Sequence, residues 1–143
     1  LELAVVGISD DEADQFRASG WHLRPSSEIS EPNVYREYIR GSLGEFTVAK
    51  EQYVRPRTGW FSDRSVCYLA AGRPVVTQET GFSNFLPCGE GLLPFMTEED
   101  VIAALETIAG DYERHSAAAL KIAQEYFDAN DVLHRLMATI GLL

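Results

Sequence analysis

The residues best suited to chemistry in this sequence lie in a loop that is rich in arginine and hydroxyl side chains. The loop runs from Arg55 to Ser65 and contains three arginines, two serines and a threonine. Ser62 is suited to begin a helix, and a helix N-terminus presents unpaired backbone N–H groups and a partial positive charge. Arg57 and Arg64 can bind phosphate oxygens, and Gly59 allows a ligand to approach the backbone closely. This composition predicts a diphosphate site. The alternative is an ordinary surface loop with a capped helix and solvated arginines.

A second candidate loop, residues 77–83, follows a predicted buried strand. It contains Glu79, Thr80, Gly81 and Phe82. A polar, glycine-containing loop at the end of a buried strand is suited to bind a sugar or phosphate through backbone amides, and Glu79 can accept hydrogen bonds from sugar hydroxyls. The alternative is a plain connection between a strand and a helix, because turns use the same residue types.

These loops are positioned by strands and helices that alternate along the chain. Short apolar runs predict strands, and apolar residues at helical spacing predict the intervening helices. The predicted strands are 3–8, 21–25, 44–49, 73–77 and 91–95. The predicted helices end near Ala18, span Pro32–Arg40, run from Ser62 to Gly72, and fill the chain after Thr97 with breaks at 110–111 and 128–131. Residues 26–32 are predicted to be a loop. The pattern predicts an α/β fold, a Rossmann-like parallel sheet with helices on both faces and a helical C-terminal tail.

Composition narrows the function. The chain has 143 residues and a formal net charge of −10, which disfavours nucleic acid and anionic membranes as partners. No apolar run is long enough to span a membrane, and no signal peptide is visible, so we predict a cytoplasmic protein. Cys67 and Cys88 lack metal-ligand spacing and are expected to be reduced thiols that are buried or half-buried. We expect no metal, and spacing identifies no catalytic residue.

The stretch from Gly59 to Val76 resembles the donor-site region of GT-B glycosyltransferases, particularly the spore-maturation type. In that family a helix ends in a small-small-Gly-x-Pro-Val-Val turn, which is similar to residues 70–76 here. The glycine loop at 79–82, the Gly-Leu-Leu core at 91–93 and the Thr-Glu-Glu helix start at Thr97 follow in the family's order. The similarity covers about residues 44–138.

The resemblance implies a role for each loop. The backbone at Ser62, Asp63, Arg64 and Ser65, with the Arg64 side chain, would hold the diphosphate of a nucleotide sugar. The loop at 80–82 would face the donor sugar. Residues 1–143 would form one nucleotide-sugar-binding domain of a two-domain protein, with the nucleotide sugar as substrate and no separate cofactor. A second Rossmann domain would supply the acceptor site, so the isolated chain is expected to be inactive.

One position departs from the family pattern. Cys67 occupies the place where many relatives carry a glutamate that binds the ribose hydroxyls, and Gly59 stands where a second acid often lies. A thiol cannot accept two ribose hydrogen bonds as a carboxylate does. The alternative function is therefore a non-catalytic Rossmann-like binding or scaffold module that has lost ribose recognition. A receiver-like regulator is a third hypothesis, for which Asp10 and Asp11 supply acids but no convincing strand-end aspartate and later lysine follow.

Overall fold

A computed structural model describes residues 1–142 and divides the chain into two compact units, Leu1–Gly41 and the chain from Ser42 onward. Parallel strands alternate with helices in both units. The predicted α/β fold, with parallel strands, flanking helices and a helical C-terminal tail, is confirmed. The strands form two small sheets, one in each unit.

The first unit is a parallel strand pair with two helices. Its elements in chain order are β1 (Glu2–Val5), α1 (Asp10–Ala18), β2 (His22–Pro25), a 3-10 helix (Ser26–Ile29) and α2 (Pro32–Gly41). Leu3 of β1 pairs with Leu23 of β2. Ser9 caps α1 in a reciprocal capping box with Glu12, as its polar start suggests. The 3-10 helix lies within the region 26–32 that was predicted to be a loop. Short 3-10 helices are common in such connections.

The second unit carries both predicted ligand loops. Its elements are β3 (Glu45–Thr47), α3 (Glu51–Val54), α4 (Asp63–Ala70), β4 (Val75–Gln78), a 3-10 helix (Phe82–Asn84), β5 (Leu92–Phe95), α5 (Glu98–Gly110), α6 (Tyr112–Phe127) and α7 (Ala129–Thr139). The strands form a parallel sheet in the order β3-β4-β5. The short helix α3 was not predicted, because four residues are too few to show helical periodicity.

Successive side chains of each strand point to opposite faces of this sheet, and both faces contain buried apolar residues. On one face, Val76, Leu93 and Phe95 pack with Ala104 of α5, and Phe46 stacks on Phe95 at 5.5 Å between ring centroids. The opposite face, which includes Glu45 and Thr47, lies on the side of α4 and α6, which pack against each other and against β4 and β5. Helices therefore cover both faces, and α4 lies over the polar end of β3.

The helix boundaries follow their local signals closely. Thr97 caps α5 in a capping box with Asp100, as predicted. Asp111 caps α6, and Asp128 caps α7, at the two predicted breaks. Ser62 occupies the N-cap position of α4, but its side chain makes no capping hydrogen bond. The start of α4 is thus held by its surroundings rather than by its own cap.

Candidate functional site

A cleft of about 350 Å³ lies at the carboxyl edge of the three-stranded sheet. Its lining residues come from the loops after β3 and β4, from the end of β5 and from the start of α5: Arg57, Glu79, Ser83, Pro94, Met96 and Asp100. The carboxyl edge is where parallel α/β sheets bind ligands. The cleft contains residues from both loops that the sequence singled out.

Direct hydrogen bonds hold the two predicted loops together. The Gly59 N–H donates to the Thr80 carbonyl at 2.7 Å, and the Thr80 hydroxyl donates to the Trp60 carbonyl at 2.5 Å. Gly81 has a φ of 101°, and a Cβ at that position would lie 2.9 Å from the Arg57 carbonyl oxygen. Only glycine fits there, both for its backbone angle and for the close approach. The loop carrying Glu79 is therefore fixed against the loop carrying Arg57.

Arg57 and Glu79 form the charged pair of the cleft. The Nη2 of Arg57 lies 3.7 Å from the Oε1 of Glu79, whose side chain is only 7% exposed. That carboxylate also accepts the Gly81 N–H. Arg57 has a φ of 50° and is the one non-glycine residue among residues 1–142 with a positive φ. Such strained positions persist where the surrounding structure enforces them, often at binding sites. The arginine, being more than half exposed, leaves its guanidinium accessible.

The predicted phosphate residues at the start of α4 have different surroundings. Arg64 donates from Nε to the Oε1 of Glu45 at 2.5 Å and from Nη2 to the Thr47 hydroxyl at 2.7 Å. The Glu45 side chain is 5% exposed, so the charge of Arg64 is compensated by a buried carboxylate. Ser65 is fully buried and Asp63 is exposed. Sequence reasoning did not identify Glu45, although it is the one acid inside the predicted strand 44–49.

The residues predicted to face a sugar separate into two groups. Glu79 lines the cleft. Thr80 and Phe82 are each 1% exposed, and Phe82 packs against Phe61 with ring centroids 5.3 Å apart. Thr80 and Phe82 thus pack in the interior of the unit, whereas Glu79 lines the cleft.

The structure corrects the expectation for the cysteines. Cys67 and Cys88 are free thiols, and both residues are exposed rather than buried. Cys67 lies on the outer side of α4 because its neighbours Ser65, Tyr68 and Leu69 face inward. Although Cys88 is exposed as a residue, neighbouring atoms partly desolvate its thiol, and this desolvation together with the nearby Glu79 carboxylate raises the pKa of Cys88 to about 11.

An aromatic group beside the cleft was also missed. The rings of Tyr53 and Trp60 stack in parallel, with centroids 4.8 Å apart. Phe85 lies over Gly59, since a Cβ on Gly59 would be 3.4 Å from its ring. Trp60 is 38% exposed and Phe85 is 73% exposed. The available signal was the aromatic residues in and next to the arginine loop, with Tyr53 just before it and Trp60 within it.

Within residues 1–142 no three or more histidine, cysteine or acidic side chains gather as a metal site would require. None of the helices in that range has the length and apolar character needed to cross a membrane. Comparison of the chain with protein-family models, curated proteins and solved structures finds no match.

Proposed function

We propose that the second unit binds a nucleoside-diphosphate sugar, as the donor half of a GT-B-type glycosyltransferase of the spore-maturation kind. The observation that carries this proposal is the pairing of Arg57 with the buried Glu79 in a cleft at the carboxyl edge of a parallel sheet. A cation for phosphate and a carboxylate for hydroxyls are what a sugar phosphate requires of its site. Both belong to loops that the resemblance assigns to the donor.

Each group has a role in this proposal. The exposed guanidinium of Arg57 binds a phosphate oxygen. The Glu79 carboxylate accepts hydrogen bonds from the donor sugar. The backbone at Ser62–Ser65 adds the positive end of the α4 dipole, which the Ser62 side chain leaves uncapped. Arg64 is bound to Glu45 and Thr47, so in this proposal Arg57 rather than Arg64 supplies the cation.

Catalysis in this proposal rests on positioning and on stabilising the leaving nucleoside diphosphate. No residue of the chain is assigned as a general base, because in this family the acceptor and its base come from a second Rossmann domain. We therefore predict that residues 1–143 bind the donor and transfer no sugar by themselves. Sugar transfer by this chain alone would contradict the proposal that a second domain supplies the acceptor site and the base.

Calorimetry with UDP-, GDP- and TDP-sugars tests donor binding. Arg57→Asn is the informative variant, because asparagine tolerates a positive φ and the change removes only the charged side chain. Arg57→Lys is its matched control for charge, and Glu79→Gln keeps an acceptor for the Gly81 N–H. We expect one donor to bind the wild type, with Arg57→Asn about tenfold weaker and Arg57→Lys intermediate. Failure of all three donors to bind at millimolar concentration would refute the proposal.

A specific observation favours the alternative of a non-catalytic binding or scaffold module. Arg64 is paired with Glu45, Thr80 and Phe82 are interior, and Cys67 stands in place of the ribose-binding glutamate of the resembling family. A module of this kind would keep its fold while binding no nucleotide sugar. The same calorimetry separates the two functions, since only the donor half responds to Arg57→Asn.

A further inference from the structure

An exposed aromatic surface lies next to the proposed donor cleft. We call it the aromatic platform and define it as Tyr53, Trp60 and Phe85. Tyr53 and Trp60 stack with an interplanar angle of 4°, and Phe85 packs over the intervening Gly59. Phe85 is 73% exposed and Trp60 is 38% exposed. Exposed aromatic rings that are clustered and stacked differ from scattered surface hydrophobics and mark interaction sites.

Backbone hydrogen bonds hold the segment that carries Tyr53 and Trp60. The Trp60 N–H donates to the Thr58 hydroxyl at 3.3 Å, and its carbonyl accepts from Thr80 at 2.5 Å. The Thr58 N–H donates to the Tyr53 carbonyl at 3.2 Å, which closes the loop that joins the two stacked rings. Because these rings are already ordered, a ligand that stacks on them pays little further conformational entropy.

Exposed arginines lie beside the platform although the whole chain has a net charge of −10. Residues 50–64 carry four basic and two acidic side chains, and two of the basic ones, Arg57 and Arg64, also pair with the buried Glu79 and Glu45. Four of the twelve basic residues of the protein lie in this short segment. Arg55 and Arg57, in the same loop as Trp60, are both exposed. A planar surface flanked by arginines fits a ligand with a flat ring and negative charge.

We propose that the aromatic platform stacks the base of the nucleotide whose phosphates bind at Arg57. This inference rests on the proposed donor function and says how the nucleoside is recognised. Every nucleobase has a π-face, and stacking on aromatic side chains contributes roughly 5- to 150-fold in affinity per base.

The experiment compares nucleotides with pyrophosphate in a chain that has a single tryptophan. Trp21→Phe removes the other tryptophan, which lies in the first unit. Trp60 fluorescence and calorimetry are then recorded with UDP, GDP, inorganic pyrophosphate and free glucose. We expect UDP or GDP to quench Trp60 and to bind more tightly than pyrophosphate.

Variants of the platform test whether its rings cause the difference in affinity between nucleotide and pyrophosphate. Trp60→Leu and Phe85→Leu remove rings, and Trp60→Phe keeps one at the same place. Calorimetry should show UDP or GDP weakened about tenfold by Trp60→Leu, less by Phe85→Leu and least by Trp60→Phe, with pyrophosphate unchanged in all three. Phe85 is mostly exposed, so its variant reports on binding even if Trp60→Leu unfolds.

The outcomes are distinguishable. Equal binding of nucleotide and pyrophosphate by the wild type would contradict base stacking on the platform without contradicting the donor site. Equal nucleotide affinity in Phe85→Leu and the parent would have the same meaning. The same conclusion would follow if a variant lost equal affinity for nucleotide and pyrophosphate, or if free glucose quenched the fluorescence. Absence of binding by UDP, GDP and the nucleotide sugars would overturn the donor function and the platform together.

Discussion

The Nε of Arg64 lies 2.5 Å from the Oε1 of Glu45, joining the first turn of α4 to the first residue of β3. Arg64 is half exposed, whereas the Glu45 side chain is 5% exposed. The buried carboxylate therefore depends on an arginine that also reaches the solvent. Arg64 therefore stabilises the fold, although its type and position suggest phosphate binding. Arg57 also faces a buried carboxylate, but at 3.7 Å rather than 2.5 Å, so its guanidinium is held less tightly.

Arg64→Ala should destabilise the protein by about 1.5–3 kcal/mol, because it leaves the buried Glu45 carboxylate without its charged donor. Arg55→Ala removes an exposed arginine of the same loop and should change stability by less than about 0.5 kcal/mol. Urea unfolding of both variants measures the difference. The pairing is also tested by Arg64→Ala combined with Glu45→Gln, which should cost less than the sum of the single changes. Equal effects of the two alanine variants would contradict this account.

Gly91→Ala should be more damaging than Gly89→Ala, although both glycines have a positive φ. A Cβ on Gly91 would lie 2.3 Å from the backbone nitrogen of Ala119 in α6, whereas nothing lies within 4 Å of one on Gly89. Both substitutions place alanine at a positive φ, so the difference in stability between the two variants measures the contact between β5 and α6. We expect a further loss of about 1–3 kcal/mol for Gly91→Ala in thermal or urea unfolding. Similar midpoints for the two variants would show that α6 can move away.

His115 should stabilise the same contact between β5 and α6. It is 3% exposed, and its Nδ1 accepts the Gly91 N–H at 3.2 Å. His115→Leu keeps the bulk but leaves that buried N–H without an acceptor, which should cost about 1–3 kcal/mol. The exposed His134 provides the control, since His134→Leu should change the unfolding free energy little. A neutral His115→Leu would mean that the Gly91 N–H finds another partner.

Cys88 should alkylate slowly at neutral pH. Its pKa is raised to about 11 from an ordinary 9.0, first by desolvation and then by the Glu79 carboxylate. The raised pKa favours the neutral thiol, so near pH 8 the reactive thiolate should be about 100-fold scarcer than in the unfolded chain. Iodoacetamide rates in a Cys67→Ser background, measured against pH, report this value. Glu79→Gln should lower the midpoint without returning it to 9.0, and a folded midpoint at 9.0 would contradict the prediction.

Asp100 should contribute stability that disappears in acid. The backbone N–H groups of Met96 and Thr97 bind its carboxylate and hold its pKa below the usual value of 3.8. A lowered folded pKa means that the stabilisation is present above 3.8 and is lost as the pH falls through the folded value. The Tm difference between wild type and Asp100→Asn should therefore be larger at pH 6 than at pH 2.5. Glu99→Gln removes a charge from the same turn but leaves both hydrogen bonds, and should lack this pattern.

Local signals in the sequence correctly predicted most elements of the fold. Pro32 and Gly41 bound α2, Thr97 begins α5 with its capping box, and α6 ends before Asp128. Each of these signals involves residues within about one helical turn, so the neighbouring sequence is sufficient. The helix α3 and the 3-10 turn after β2 escaped prediction because they are too short to establish a period.

Local patterns in the sequence are sufficient to predict the α/β class, the order of the elements and the two loops that follow β3 and β4. Tertiary packing determines which residues of those loops meet: Arg57 with Glu79 in the cleft, Arg64 with Glu45, and Thr80 with Trp60. It also decided that Thr80 and Phe82 are interior and that Trp60 and Phe85 are exposed. The reason is that periodicity and caps act over a few residues, whereas these pairings join residues about twenty positions apart in the sequence. Their partners are set by the register of β3, β4 and β5 and by the packing of α4 over that sheet.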